Sequence, residues 1–135
     1  MKKLLSIHYN AFAFNASMLA LRVSLGLLMM SHGYDKLVHF SDRKLAFYNF
    51  LGIGSTSTLI LSIFAEFFCA LFITIGLFTR LVSIPLIINM SIALFSVHNM
   101  DFFNTGEKAT LFLVGFITLL LCGPGRVSVD GIASK

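Results

Sequence analysis

Charged residues are scarce in this chain. They make up 12% of its 135 residues, whereas 57% of the residues are hydrophobic and the mean hydropathy is +0.89. These values lie outside the range of soluble proteins, because a soluble domain of this size could not bury so much apolar surface. The composition therefore excludes a water-soluble protein and predicts a membrane protein in which residues 1–135 form one transmembrane domain.

Residues for metal and redox chemistry are also few. The two cysteines, Cys69 and Cys122, do not form the CxxC pair that a thiol–disulfide exchange enzyme would use. The chain has no CxxCH motif for haem attachment, no zinc-binding cluster and no glycine-rich phosphate loop. We therefore expect no metal ion and no cofactor in this chain, and we expect both cysteines to be packing residues.

Basic residues outnumber acidic ones by ten to six, but they are not clustered. A nucleic-acid-binding surface requires cations on one face, whereas here they lie singly among apolar stretches. The N-terminal sequence MKKLLSIHYNAF has too short an apolar run for a signal peptide, and no small-residue cleavage site follows it. We expect Lys2 and Lys3 to remain as a cytosolic anchor, and the protein to contact membrane lipid and no nucleic acid.

Long apolar stretches dominate the chain instead. A hydrocarbon core of about 30 Å requires about 20 helical residues. Four segments approach this length: residues 15–36, 59–78, 81–97 and 105–122. Only Thr79 and Arg80 separate the second segment from the third, which predicts a tight hairpin, and Gly123-Pro124-Gly125 ends the fourth. The pattern predicts an all-α membrane protein with four transmembrane helices in an antiparallel bundle.

One long connection joins the first two segments. Its sequence, HFSDRKLAFYNFLGIGSTST, combines Phe40, Phe47, Tyr48 and Phe50 with Lys44. Aromatic and basic residues in this mixture are typical of a short helix that lies in the membrane interface. We therefore predict an interfacial helix between helices 1 and 2, with a loop that only packs on the bundle as the alternative.

The distribution of cations predicts the orientation. Four crossings place both termini on one side, and that side carries five cations against four on the other. The five are Lys2, Lys3, Arg80, Arg126 and Lys135, and the four are Lys36, Arg43, Lys44 and Lys108. Because cytoplasmic loops carry the excess of Lys and Arg, we expect cytoplasmic termini.

One acidic residue interrupts the second segment. Glu66 lies within the otherwise apolar LILSIFAEFFCALFITIGLF. A charged side chain at the centre of a membrane helix costs about 2.5–3.5 kcal/mol, so Glu66 should face the interior of the bundle and have a partner. Arg22 and His32 of the first segment are the candidate partners. A helix rises about 1.5 Å per residue, and on this count His32 lies closer than Arg22 to the depth of Glu66 in the membrane. We therefore predict a Glu66–His32 pair with Arg22 below it.

Polar and small residues follow one face of each of the first three segments. At 100° per residue the stripes are Arg22, Gly26, Met29, His32, Gly33 and Lys36; Ser55, Ser62, Glu66, Cys69 and Ile73; and Pro85, Asn89 and Ser96. Such stripes let membrane helices approach closely and form hydrogen bonds. The candidate site residues are Glu66, His32, Arg22 and His98, which could hold a substrate or quinone, relay protons, or only fix the register of the helices.

Several motifs in order resemble one family. They are LRVSLGLLMMSHGYDKL, FAEFFCAL, GLFTR, FSVHN, GEKATLFLVGF and CGPGRVSVDGI, and together the chain resembles the DoxX family of small membrane proteins. The resemblance implies a four-helix bundle in the bacterial cytoplasmic membrane. The matching polar positions are Arg22, His32, Gly33, Lys36, Glu66, Arg80, His98, Glu107, Gly123, Gly125, Arg126, Ser128 and Asp130.

The resemblance also implies a class of function. The family takes its name from a subunit of an archaeal thiosulfate:quinone oxidoreductase, and other members are linked to membrane-bound oxidoreductase complexes and thiol stress. We therefore predict a membrane subunit of a respiratory or thiol-linked oxidoreductase complex that contacts quinone as substrate, with the electron-carrying cofactor in a partner redox subunit. The alternatives are a non-catalytic accessory or assembly protein, a homo-oligomer, and a small-molecule or proton carrier.

Overall fold

The computed structural model describes residues 7–134, which form helices and no strand. The helices are α1 Ala11–Val38, α2 Phe40–Arg43, α3 Ser55–Ile75, α4 Thr79–Val97, α5 Glu107–Cys122 and α6 Val129–Ala133. A 3₁₀ turn, Phe50–Gly52, lies between α2 and α3. The predicted all-α class is therefore confirmed for this part of the chain, and Lys2, Lys3 and Lys135 lie outside it.

Three of the helices, α1, α3 and α4, are long and apolar enough to cross a membrane. Helix α1 begins at Ala11 rather than at residue 15, and α3 covers Ser55–Ile75 rather than residues 59–78. Helix α5 has 16 residues, which rise about 24 Å and fall short of a hydrocarbon core of about 30 Å. The fourth crossing therefore stays a prediction.

Apolar side chains cover the outside of the helices as well as the space between them. Leu61 on α3, Ile88 on α4 and Leu111 on α5 are each more than half exposed, as side chains that face lipid would be. The interior is closed by a continuous apolar cluster that includes Met29, Ile73, Leu86, Phe116 and Leu119. An apolar exterior around a packed apolar interior is the arrangement that a bilayer requires.

The turn between α3 and α4 lies at Gly76–Phe78. The prediction that Thr79 and Arg80 form this turn was therefore wrong. Gly76 adopts φ +74°, and the N–H of Leu77 donates to the carbonyl of Phe72 at 2.9 Å. This is a Schellman ending, in which a glycine in the left-handed region satisfies the last carbonyls of a helix. Hydropathy did not reveal the turn, because its residues are apolar, but Gly76 itself was a sequence signal for it.

Helices α1 and α3 pack through glycines in antiparallel register. A Cβ added to Gly33 would lie 2.6 Å from the backbone N of Phe67 and 2.7 Å from the carbonyl carbon of Glu66. A Cβ added to Gly26, which lies earlier in α1, would collide with Thr74, which lies later in α3 than Glu66. Small residues are what allow membrane helices to approach to backbone contact. Gly33 therefore fixes the α1 backbone directly against Glu66.

Residues 123–131, named the clamp segment here, tie three parts of the molecule together at one end. The Arg22 guanidinium is buried and donates from Nη1 to the carbonyl of Pro124 at 3.2 Å and from Nη2 to that of Val127 at 2.8 Å. Asp130 accepts the N–H of Phe78 at 2.8 Å and that of Thr79 at 2.9 Å. The clamp segment thus joins Arg22 of α1 to the α3–α4 turn, and this region is called the clamp end.

Asp130 acts as the cap of α4, and its removal has a measurable consequence. Asp130→Ala leaves two N–H groups at the start of α4 without an acceptor, one of them on Phe78 with φ +49°. Loss of an N-cap costs about 0.5–2 kcal/mol, so we expect a lower melting temperature of the purified protein in detergent. Asp42→Ala, at an exposed position in α2, is the control. Equal melting temperatures for the two variants would contradict the capping role.

The opposite end, called the loop end, carries residues 39–54 and 98–106. The predicted interfacial helix is one turn there, because α2 ends at Arg43, which pairs with Asp35 of α1 at 2.7 Å. Phe47 then lies against Lys36, with Nζ 5.4 Å from the ring centroid. The connection therefore packs on the helices, and its location in the membrane interface stays a prediction.

Candidate functional site

Glu66 lies in a π-helical turn of α3. The turn covers Phe64–Cys69, and a second one covers Ala93–Val97 at the end of α4. One extra residue per turn widens a helix locally, and such turns are frequent at functional sites. Glu66 and Ala65 from the first turn and Ala93 from the second line the same cavity.

The Glu66 carboxylate is the centre of a buried polar cluster. Only 3% of the residue is exposed. Its Oε1 accepts hydrogen bonds from Lys36 Nζ at 2.5 Å, Asn89 Nδ2 at 2.7 Å and Ser62 Oγ at 3.2 Å, and Lys36 also donates to Ser62 Oγ at 2.8 Å. Helices α1, α3 and α4 each contribute to this cluster. The negative charge is therefore compensated by one cation and two polar neighbours.

The second oxygen of the carboxylate has no partner. Glu66 Oε2 is buried and accepts no hydrogen bond from any residue in the part of the chain that the structure describes. A buried acceptor without a donor costs about 1–3 kcal/mol, and more when it is charged. Buried polar atoms are paired in the large majority of cases, so an open one requires an explanation. A donor supplied by a bound molecule would satisfy it.

A cavity of about 360 Å³ lies beside this cluster. Its walls are mostly apolar, and its polar atoms come from a few side chains. The residues that line it include Lys36, Phe47, Tyr48, Ser62, Glu66 and Asn89. The volume is within the range of about 300–1,000 Å³ that small-molecule sites occupy. This Glu66 cavity is therefore an apolar pocket with one charged end.

Exposed apolar side chains form the rim of the Glu66 cavity. Leu61 and Phe64 of α3 and Ile88 of α4 line it, and each is about half exposed on the outer surface of the helices. Tyr48 and Ile53 of the loop end close another side. The rim of the cavity between α3 and α4 is therefore apolar.

The structure confirms that Glu66 faces the interior, but the predicted pairing with His32 was wrong. Lys36 takes that place, because a helical side chain leans towards the N-terminus of its own helix and the long lysine stem reaches down to the carboxylate. His32 is exposed, and its ring instead meets Phe112 of α5 edge-on at 5.9 Å between centroids.

The other two candidate residues lie away from the Glu66 cavity. Arg22 is at the clamp end beside Gly76, ten residues along α3 from Glu66, a rise of about 15 Å. His98 is partly buried where α4 ends, and it does not line the cavity. The structure therefore brings Glu66 together with none of His32, Arg22 and His98.

Lys36 and Asn89 are the site residues that the sequence reasoning did not select. Both had been placed on the inward stripes, and Ser62 had been placed on the stripe of Glu66 itself. The sequence signal for Lys36 was its position one turn beyond His32. A lysine there has a long side chain that leans back towards the N-terminus of its helix and so towards Glu66. Among the described residues no group of three His, Cys, Asp or Glu side chains could hold a metal ion.

Comparisons with known proteins agree with the residue pattern. The model of the DoxX family matches residues 17–99. An uncharacterized membrane protein of Mycobacterium tuberculosis strain H37Rv, Rv3486, is 28% identical over 134 residues, which cover 88% of this chain and 82% of that protein. No solved structure matches the chain. The matched range includes α1, α3 and α4 almost entirely, and with them every member of the Glu66 cluster.

Proposed function

The chain belongs to the DoxX family, and from this premise we propose that it is a membrane subunit of a respiratory or thiol-linked oxidoreductase complex. In this role the Glu66 cavity holds the head group of a quinone. The electron-carrying cofactor belongs to a partner redox subunit. The single observation that carries the proposal is the buried carboxylate with an unpaired oxygen, on a residue that lines an apolar cavity.

The donors and acceptors of the cluster match both redox forms of a quinone. Glu66 Oε2 lacks a hydrogen-bond donor, and a rotation of the carboxylate that exposes this oxygen to the cavity would let it accept the hydroxyl of a quinol. Lys36 uses two of its three N–H donors on Ser62 and Glu66, which leaves one for a quinone carbonyl. The apolar walls and the rim between α3 and α4 suit the ring and its isoprenoid tail. One site can therefore hold the head group before and after reduction.

Proton transfer follows from the same geometry. Reduction of a quinone takes up two electrons and two protons, and the electrons come from the cofactor of the partner redox subunit. A protonated Glu66 is in position to deliver one proton to a quinone oxygen, and Lys36 Nζ is in position to deliver the other. Both groups then regain a proton from water. Glu66 and Lys36 would be the proton donors of this step.

The placement in the membrane is part of the proposal. The chain would lie in the bacterial cytoplasmic membrane, with α5 as the fourth crossing and a homo-oligomer as the alternative to a redox partner. The clamp end would face the cytoplasm, since it carries Arg80 and Arg126. The loop end and the Glu66 cavity would then lie towards the opposite side.

Quinone titration of the assembled complex tests the proposal. Glu66→Gln removes the charge and replaces one acceptor oxygen, so we expect at least a tenfold weaker quinol affinity and a loss of turnover, because a hydrogen bond to a charged group is worth about 1.5–3 kcal/mol. Glu107→Gln, an exposed acid on α5 away from the cavity, should leave both unchanged. Unaltered affinity and turnover in folded Glu66→Gln complexes would refute the proposal.

One observation favours a second role, in which the cluster only sets helix packing. Gly33 holds α1 in backbone contact with Glu66, so the ion pair and the close approach fix the same register. An accessory or assembly protein would need nothing more. In that case Glu66→Gln lowers the melting temperature, while the quinone turnover of each assembled complex is preserved.

A further inference from the structure

A groove of about 1,050 Å³ crosses the clamp end, far from the Glu66 cavity. It is lined by the chain from Cys122 to Arg126, by Arg80, by Tyr9 and by Phe14 of α1. Both arginines are exposed, and so are the two aromatic rings. Basic and amphipathic aromatic side chains therefore meet at the end of the membrane-crossing helices, where the head groups of a bilayer lie.

The charge of the groove is positive because its one carboxylate is already occupied. Asp130 lines the groove, but its two oxygens accept the N–H groups of Phe78 and Thr79. Its charge also interacts with the buried guanidinium of Arg22. Of the described residues that line the groove, Arg80 and Arg126 are the cations, and no acid among those residues pairs with either of them. An anion would therefore find two uncompensated charges.

The backbone holds both arginines in place while leaving donors open. Arg80 Nη2 donates to the carbonyl of Leu121 at 3.2 Å, which uses one of the five guanidinium donors. Gly123 has φ +82°, and a Cβ there would be in van der Waals contact with Arg80 Nε at 3.4 Å, so the guanidinium lies against the chain at this point. The backbone N–H of Arg126 donates to Asn15 Oδ1 at 2.7 Å, which anchors the residue beside α1.

We propose that this groove binds the phosphate of an anionic phospholipid, with Arg80 and Arg126 as the phosphate ligands. Guanidinium groups match the geometry of phosphate oxygens and bind them through paired hydrogen bonds. Tyr9 and Phe14 border the glycerol region and the first part of the acyl chains. At about 1,050 Å³ the groove has room for a head group, and the tails would lie along the apolar surfaces of the neighbouring helices. The site is independent of the quinone proposal.

Lipid retention by the purified full chain tests this site. Native mass spectrometry in mild detergent, with equal amounts of phosphatidylglycerol and phosphatidylcholine added, should show preferential retention of the former by the unmodified protein. One arginine near an anionic surface is worth about 1 kcal/mol, or about fivefold. Arg126→Gln should therefore reduce phosphatidylglycerol retention about fivefold, and Arg80→Gln/Arg126→Gln about thirtyfold.

A matched control separates a built site from general attraction. Lys44→Gln/Lys108→Gln removes the same charge at other positions and should leave retention unchanged. An excess of inorganic phosphate should not displace the lipid, because the acyl chains contribute to binding. Equal retention of the two lipids, equal loss in both double variants, or full displacement by phosphate would each overturn the proposal. Arg126 has an exposed side chain, so its single variant decides the matter even if Arg80→Gln does not fold.

Discussion

Replacing Lys36 by methionine is expected to destabilise the protein by about 3–5 kcal/mol, more than replacing Glu66 by glutamine. Removal of one member of a buried ion pair leaves the other charge uncompensated, which carries a cost of this size. The two side chains differ in their access to solvent, since that of Lys36 is 17% exposed and that of Glu66 is 4% exposed. Lysine can move its ammonium towards water along its flexible stem, whereas the carboxylate is fixed inside the bundle.

The double variant makes this prediction specific to the pair. In Lys36→Met/Glu66→Gln neither charge is buried, and the glutamine amide can still bond to Ser62 and Asn89. We therefore expect the double variant to be more stable than Lys36→Met alone, so that the two effects are strongly non-additive. Lys108→Met, at an exposed position in the first turn of α5, is the control.

The thiol of Cys69 in the core allows the stability of these variants to be measured. Cys69 is 2% exposed, so a thiol reagent can reach it only when the helices separate. With the exposed Cys122 changed to serine, the rate of labelling at Cys69 reports the free energy of opening. Additive effects of the two substitutions, or equal labelling in Lys36→Met and Lys108→Met, would show that the pair does not stabilise the fold.

The second large effect is expected for Gly33→Ala, and its sign is the informative part. At an unconstrained helical position this change stabilises by about 1 kcal/mol, because alanine is the better helix former. At Gly33 the new Cβ would lie 2.6–2.7 Å from backbone atoms of Phe67 and Glu66, which cannot rotate away. The helices must separate, so we expect a net loss of about 1–3 kcal/mol in the free energy of opening.

Two further variants calibrate the glycine prediction. Gly26→Ala collides with the Thr74 hydroxyl, which can change rotamer, and meets backbone atoms of Ala70 and Thr74 only at 3.0 Å, so its cost should be smaller than that of Gly33→Ala. Ser24→Ala, on the exposed face of α1, should be neutral or slightly stabilising. Labelling at Cys69 gives all three values on one scale. Greater stability of Gly33→Ala than of the unmodified protein would mean that the backbones do not touch at this point.

The sequence contained enough information for the membrane class and for the burial of Glu66. Both follow from the free-energy cost of exposing a polar or charged group to lipid. This cost depends only on residue type and on the length of the span. The family assignment was also available from the ordered motifs, and the match over residues 17–99 confirmed it. These features require no knowledge of which helix face meets which neighbour.

Identifying the partner of Glu66 required knowing which helix face meets which neighbour. Depth and helical angle placed His32 and Lys36 on one stripe, but only three-dimensional packing shows that His32 turns to Phe112 while Lys36 reaches the carboxylate. The open oxygen of Glu66 and the cavity beside it depend on the π-helical turns of α3 and α4, for which the apolar sequence offers no pattern. The role of Arg22 depended likewise on a chain segment more than a hundred positions away.

The clamp segment has a consequence for biosynthesis. Asp130 caps α4 from a position 51 residues after Thr79, and it also follows α5 in the chain. At about 5–20 residues per second, the ribosome adds this carboxylate some 3–10 seconds after it has added Thr79 at the start of α4. During that interval Arg22 lacks its carbonyl acceptors, and the nascent helices can adjust their insertion depth until the late segment arrives and locks them.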